Sequence, residues 1–161
     1  MQESKSTSNN VCNSATKKIL GAVFLVCGCF IYLLLRSKTL NIYIWCKTLG
    51  ISHAIDSLRV ASQNYHVSDF VRFCLPDGLY CAAYILIMDS IWHEDKRTVK
   101  FVFLFLAPII TIGSEILQLW GIVRGTFDIG DLVCYTIPPL VYLGIHHRNY
   151  ISYNIFKIKH S

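Results

Sequence analysis

The apolar positions of the chain are not spread evenly; they gather into long runs separated by polar stretches. Ile19–Leu35 is continuous, about 25 Å as a helix at 1.5 Å per residue. Lys17 and Lys18 precede it, and Arg36 and Lys38 close it. That length suits a membrane span. A second run covers roughly Val71 to Trp92, a third Val99 to about Trp120, and a fourth Ile129 to Ile145. In the second run Pro76 fits a first helical turn, and Asp77 is favoured by the helix dipole. Asp89, near its other end, reads as interfacial. Pro108 predicts a kink in the third run, which neighbouring helices tolerate. Pro138 and Pro139 lie inside the fourth, and such interruptions suit a helix that lines something.

Between the first two runs, residues 39–70 are interrupted too often for a span. Ile51, Ala54, Ile55 and Leu58 nevertheless fall at helical spacing, which predicts an amphipathic helix at the interface or packed on the bundle. His53, Asp56 and Arg59 recur every three residues and read most simply as a solvated polar face. Residues 93–97 are expected to be a short polar hairpin. The pattern therefore predicts an all-α, polytopic membrane protein with about four transmembrane helices plus an amphipathic or re-entrant segment. One domain covers 19–147, between a disordered polar tail at 1–18 and a basic tail at 148–161.

Composition supports that reading. Of 161 residues, 53% are hydrophobic and 16% charged, with a mean hydropathy of +0.45. A soluble domain averages roughly 45–50% apolar and ~25% charged. The net charge of +5 comes from Lys and Arg beside the apolar runs, as membrane insertion requires, and not from a nucleic-acid footprint. With four spans, one side carries Lys5, Lys17, Lys18, Lys96, Arg97, Lys100, Arg148, Lys157 and Lys159; the other carries Arg36, Lys38, Lys47, Arg59, Arg72 and Arg124. The excess on the first side predicts both termini in the cytoplasm. The segment "VCGC" (Val26–Cys29) faintly suggests a lipoprotein signal, but the apolar run continues after it as "FIYLLL". None of the seven cysteines forms a Cys-x-x-Cys pair, and the odd count argues against a complete disulfide framework. Cys27, Cys29, Cys81 and Cys134 lie in apolar runs, where Cys acts as a small hydrophobe.

One stretch resists the apolar pattern: "SEILQLWGIVRGTFDIGDL", Ser114–Leu132. Glu115 lies about 7 Å of helix inside the end of the third run. An acid there is costly unless it is paired or faces water. Gln118, three residues on, shares its face. Asp128 and Asp131 open the fourth helix, where the dipole accommodates acid. Arg124 sits in the turn between. Three readings stay open. Arg124 bridges Glu115 and an Asp while Gln118 holds the turn, so that the cluster pins a hairpin. Alternatively, Arg124 grips an anionic lipid-linked or glycan substrate while Glu115 moves a proton. In the third, Asp128, Asp131 and Glu115 hold magnesium. No Gly-x-Ser-x-Gly, Walker loop or His-Glu-x-x-His occurs, so the common soluble enzyme plans lack support.

"SEILQLWGIVRGTFDIGDLVCYTIP" resembles the characteristic segment of VanZ-like membrane proteins. That pattern has an acid and a Gln on one helix, an Arg after a short turn, then an Asp spaced before a second Asp that opens the last helix. Glu115, Gln118, Arg124, Asp128 and Asp131 match it in order, and "LPDGLYCAAY", with Pro76 and Asp77, is similar to the earlier helix start. The resemblance covers about Leu75 to Gly144. Many relatives follow the second Asp with an Asn and a Gly-rich run; here Cys134, Tyr135, Pro138 and Pro139 stand instead. The resemblance implies a bacterial envelope protein of the inner membrane, not a settled reaction. Glu115, Arg124 and Asp128 are the catalytic candidates; Gln118, Arg124, Asp131 and Asp77 are the substrate-binding ones. No resident metal or cofactor is expected. The partners are membrane lipids and an anionic lipid-linked or glycan ligand. A second class is a non-enzymatic scaffold or regulator acting through the surface from His53 to Arg59. A small transporter is disfavoured by the lack of a repeat and of mid-helix charge.

Overall fold

The computed structural model describes residues 2–36, 41–62, 67–92 and 98–159, with side chains described for 14–148 within those ranges. The expected hairpin at 93–97 lies outside the described residues, as do the side chains of most of both expected tails. All elements among the described residues are helices: α1 (Gln2–Leu35), α2 (Asn41–Thr48), α3 (Ser52–Ser62), α4 (Asp69–Phe73), α5 (Leu75–Ile91), α6 (Thr98–Leu119) and α7 (Ile129–Lys159). Among the described residues, three stretches are long and apolar enough to cross a membrane: Ser14–Leu35, Thr98–Leu119 and Ile129–Arg148. The chain is therefore a multi-pass membrane protein.

The second apolar run is not one helix. It divides at Cys74, which keeps helical torsions (φ −94°, ψ −37°) yet separates the five-residue α4 from the 17-residue α5. Pro76 explains the restart, since it lacks an N–H and its ring fits the first turn. At about 25 Å, α5 is shorter than the other three, but it is the centre of the bundle. It packs against α1, α6 and α7. Leu104 of α6 is fully buried with Cys81 and Ile85 of α5, and Tyr84, Phe105, Tyr135 and Tyr142 close over them.

α1 lies close to α5 because glycine leaves room. A Cβ on Gly21 would stand 2.8 Å from Ile87 Cγ1, and one on Gly28 2.9 Å from Tyr80 Cε1. Small residues at such a seam let helices pack tightly where lipid gives no hydrophobic drive. The prolines do not interrupt their helices: α6 runs through Pro108 and α7 through Pro138 and Pro139. Thr111 Oγ1 donates to the carbonyls of Ala107 (3.1 Å) and Pro108 (3.0 Å). Hydroxyls of this kind help satisfy backbone disturbed by proline.

The amphipathic segment is two short helices: α3 docks on the end of α1, and α2 packs on α3. The expectation of a solvated face there is corrected for two of its three residues. Arg59 is buried; its guanidinium donates to the carbonyl of Leu33 (2.6 Å) and to that of Arg36, and stacks over Tyr43. Tyr43 in turn donates to Asp56 at 2.9 and 3.0 Å. Arg59 thus meets the carbonyls that a helix C-terminus leaves without partners, where positive charge is favoured. His53 is exposed.

The opposite end of the bundle carries a closed ionic cluster. Asp89, 3% exposed, accepts from Lys17 of α1 (2.6 Å), Lys100 of α6 (2.6 Å) and Tyr142 of α7 (2.7 Å). Sequence reasoning placed Asp89 at an interface and Lys17 among the flanking charges. In the fold they join all four long packing helices at one point.

Candidate functional site

The helices run antiparallel in turn, so the end of α1, the start of α5, the end of α6 and the start of α7 meet at one end of the bundle. Four carboxylates gather there: Asp77, Glu115, Asp128 and Asp131. Glu115, at 7% exposure, is buried. Its carboxylate lies 3.5 Å from the backbone N–H of Asp128, which closes the α6–α7 turn. Asp128 caps its own helix, with Oδ1 accepting from the N–H of Gly130 at 2.7 Å. Asp131 lies close enough to Asp77, Glu115 and Cys74 to act on each electrostatically, and its Oδ1 is shielded from solvent with no hydrogen-bond donor.

Glu115 and Asp128 therefore come together as expected, but Arg124 does not join them. It is exposed in the turn and makes no ion pair among the described residues. The hairpin pin with Arg124 as its bridge is corrected: the backbone N–H of Asp128 meets Glu115 in its place. The Gln118 side chain lies against the turn at Gly125, where a Cβ would fall 2.5 Å from Oε1.

The cation that faces the acids is one that sequence spacing did not single out. Arg36, at the end of α1, is 3.9 Å from Asp77 Oδ2, donates to the carbonyl of Phe73 (3.1 Å) and stacks on Tyr32 and Phe73. Arg72 also approaches Phe73. The Nε–H groups of both arginines are shielded from solvent and have no acceptor. Buried donors without partners are uncommon and call for an explanation.

Cys74 was likewise missed. It is 5% exposed, and its Sγ converges with carboxylate oxygens of Asp128 and Asp131, all three within 4.8 Å of one another. The donor set brought together is thus Cys74, Asp128 and Asp131, not the expected Glu115, Asp128 and Asp131. Burial, then the hydrogen bond and charge of Asp131, and then Asp128 push the Cys74 thiol up to about 12. A lone Cys outside any Cys-x-x-Cys gives no sequence signal; only the α7 start, 54 residues on, makes it part of a cluster.

Below this end a cavity of about 500 Å³ opens among α1, α5, α6 and α7. Leu25, Ala83, Ile87 and Ala107 give it apolar walls, and Asp77 and Tyr135 form its polar end. The volume falls within the roughly 300–1,000 Å³ of small-molecule sites. No protein-family model matches the chain, and no curated protein or solved structure is significantly similar to it. The class that the fold defines is a multi-pass helical membrane protein with an acid-rich end above an apolar cavity.

Proposed function

We propose that this chain is a four-span membrane protein of the VanZ-like type that binds an anionic lipid-linked component of the bacterial envelope. On this reading α5 is the fourth span, both termini are cytoplasmic, and the acid-rich end faces outward. The hydrocarbon chain lies in the cavity between α1, α5, α6 and α7. Its phosphate meets Arg36, with Arg72 beside it and Arg124 at the mouth of the turn. Glu115 and Asp128 are then placed beside the head group, where Glu115 has the character of a proton carrier.

The observation that carries this reading is the cavity itself: apolar along its length, and ending at Asp77 and Tyr135 beside a guanidinium with an unused buried donor. An apolar pocket with a few convergent polar groups is the usual form of a ligand site. A chain with one charged end matches that distribution better than a glycan, which would need polar walls.

The test is binding of a short polyprenyl phosphate and of the corresponding alcohol to the detergent-solubilised protein, followed by native mass spectrometry. The phosphate should bind more tightly than the alcohol. Ala107→Phe, which fills the cavity, should abolish both. Arg36→Ala should cost the phosphate about 1.5–3 kcal/mol, as for a hydrogen bond to a charged group, or roughly ten- to a hundredfold, and leave the alcohol unchanged. Equal binding of both ligands to Ala107→Phe would sink the proposal.

A further inference from the structure

We infer that Cys74, Asp128 and Asp131 form a binding site for a divalent metal ion of the zinc class. The site goes beyond lipid binding and stands without it. Three donors converge from two elements: a thiol at the α4–α5 junction and two carboxylates at the start of α7. Zinc binds sulfur at about 2.3 Å and carboxylate oxygen at about 2.0–2.2 Å. Corners of such a tetrahedron are about 3.3–3.8 Å apart. Donor atoms already within 4.8 Å of one another need only a small closure to take up those positions.

One further observation points to a cation, and a second shows how the sulfur is accommodated. Asp131 Oδ1 is closed to water and accepts no hydrogen bond. A buried carboxylate oxygen in that state lacks a positive partner and calls for an explanation. Second, the backbone makes room for the sulfur. A Cβ on Gly130 would stand 2.5 Å from Cys74 Sγ and 3.1 Å from Asp128 Oδ1. Glycine at 130 thus leaves a hollow that the thiol fills, directed at the two acids.

The donor chemistry selects the ion. Magnesium and calcium take oxygen ligands, whereas thiolate favours zinc and similar borderline ions. Binding transfers the thiol proton to solvent, since sulfur ligates as thiolate. Three protein donors leave one tetrahedral position for water or an incoming oxygen ligand, the plan of sites that keep an open position. Glu115, whose carboxylate approaches the Asp128 backbone, is a further acid at this end of the bundle.

The experiment uses cobalt(II) as an optical stand-in for zinc, added without lipid to the full chain in detergent after treatment with a chelator. A thiolate-to-cobalt charge-transfer band should rise to one equivalent and be displaced by zinc. Cys74→Ser should remove it, while Cys134→Ser, which changes a neighbouring thiol outside the donor set, should keep it. Asp128→Asn alters an exposed residue and should weaken cobalt at least tenfold. Gly130→Ala puts a better helix former in α7, so it should preserve helicity by circular dichroism while losing the band. Absence of the band in the wild-type chain would overturn the inference, as would its persistence in folded Cys74→Ser. Because no lipid is present, neither result bears on the polyprenyl-phosphate reading.

Discussion

Replacing Asp89 with alanine tests whether the ionic cluster at the far end of the bundle holds the helices together. The carboxylate is 3% exposed and takes Lys17 and Lys100 at 2.6 Å and Tyr142 at 2.7 Å. Its removal strands two cations. The Lys100 side chain is 14% exposed and the Lys17 side chain 29%, so Lys17 can turn to water more readily. Deleting one partner of a buried pair costs about 3–5 kcal/mol, and the partial exposure of Lys17 favours the lower half of that range. A cost near 3 kcal/mol is roughly a hundredfold in the folded ratio. Tyr142→Phe removes one hydroxyl but leaves both lysines on the carboxylate, so about 1 kcal/mol is expected. Combining Asp89→Ala with Lys100→Ala should cost less than the sum of the single changes, because the second removes a charge that the first left unpaired. The assay is reversible unfolding in mixed micelles, followed by far-ultraviolet circular dichroism. If Asp89→Ala and Tyr142→Phe prove equally mild, or if the double variant is strictly additive, the cluster does not act as a clasp and the argument from burial fails.

Two other perturbations address the ends and the seam. Arg59→Ala should destabilise the protein by about 2–3 kcal/mol, because two carbonyls at the end of α1 lose a charged donor; a thermal-shift measurement against exposed His53→Ala, expected within about 0.5 kcal/mol, checks it. Gly28→Val should cost about 1–3 kcal/mol through overpacking against Tyr80, whose ring carbon would stand 2.9 Å from even a single added Cβ. Disulfide trapping between cysteines placed across the α1–α5 seam would report the separation, and unchanged trapping in Gly28→Val would refute it.

Much of the helical plan was legible because a membrane imposes a signal that each segment carries alone. Runs of apolar residues at about 1.5 Å per residue mark spans without reference to the rest of the chain. Three of the four runs are helices long enough to cross. In the second, the helix start expected at Pro76 is present, but hydropathy does not register that the residues before it form a separate short helix, α4. Within the site, Glu115 and Asp128 were found because they flank a short turn, and turns bring near neighbours in sequence together. Arg36 and Cys74 were invisible for the opposite reason. Arg36 reaches Asp77 from 41 positions away, and its place after an apolar run reads as a flanking charge. Lys17 and Asp89, 72 positions apart, were separated by the same limit. Arg124 shows the converse error: closeness in sequence suggested a bridge, yet the turn carries its side chain outward.

The two ends of the bundle differ in how their polar groups are partnered, and the contrast bears on the proposed site. At one end a single carboxylate meets two ammonium groups and a phenol, so every charge in that cluster has a partner. Such an arrangement fixes the geometry of the helices it joins. At the other end four carboxylates face one arginine within ion-pair range among the described residues. An acceptor on Asp131 and donors on Arg36 and Arg72 are closed to water without partners. Burying polar groups in that state costs free energy. Selection for stability alone would favour replacing them, since an apolar residue or a second base would remove the deficit. Their placement at one end of the bundle fits the proposed partners from outside: a phosphate for the guanidinium groups and a cation for the thiol and carboxylates. A metal ion and an anionic head group are electrostatically complementary, so each would reduce the cost of binding the other at a site this rich in acid. The clasp at the far end then has a reason to be rigid. It holds α1, α5, α6 and α7 in register, while the opposite end keeps its polar groups available.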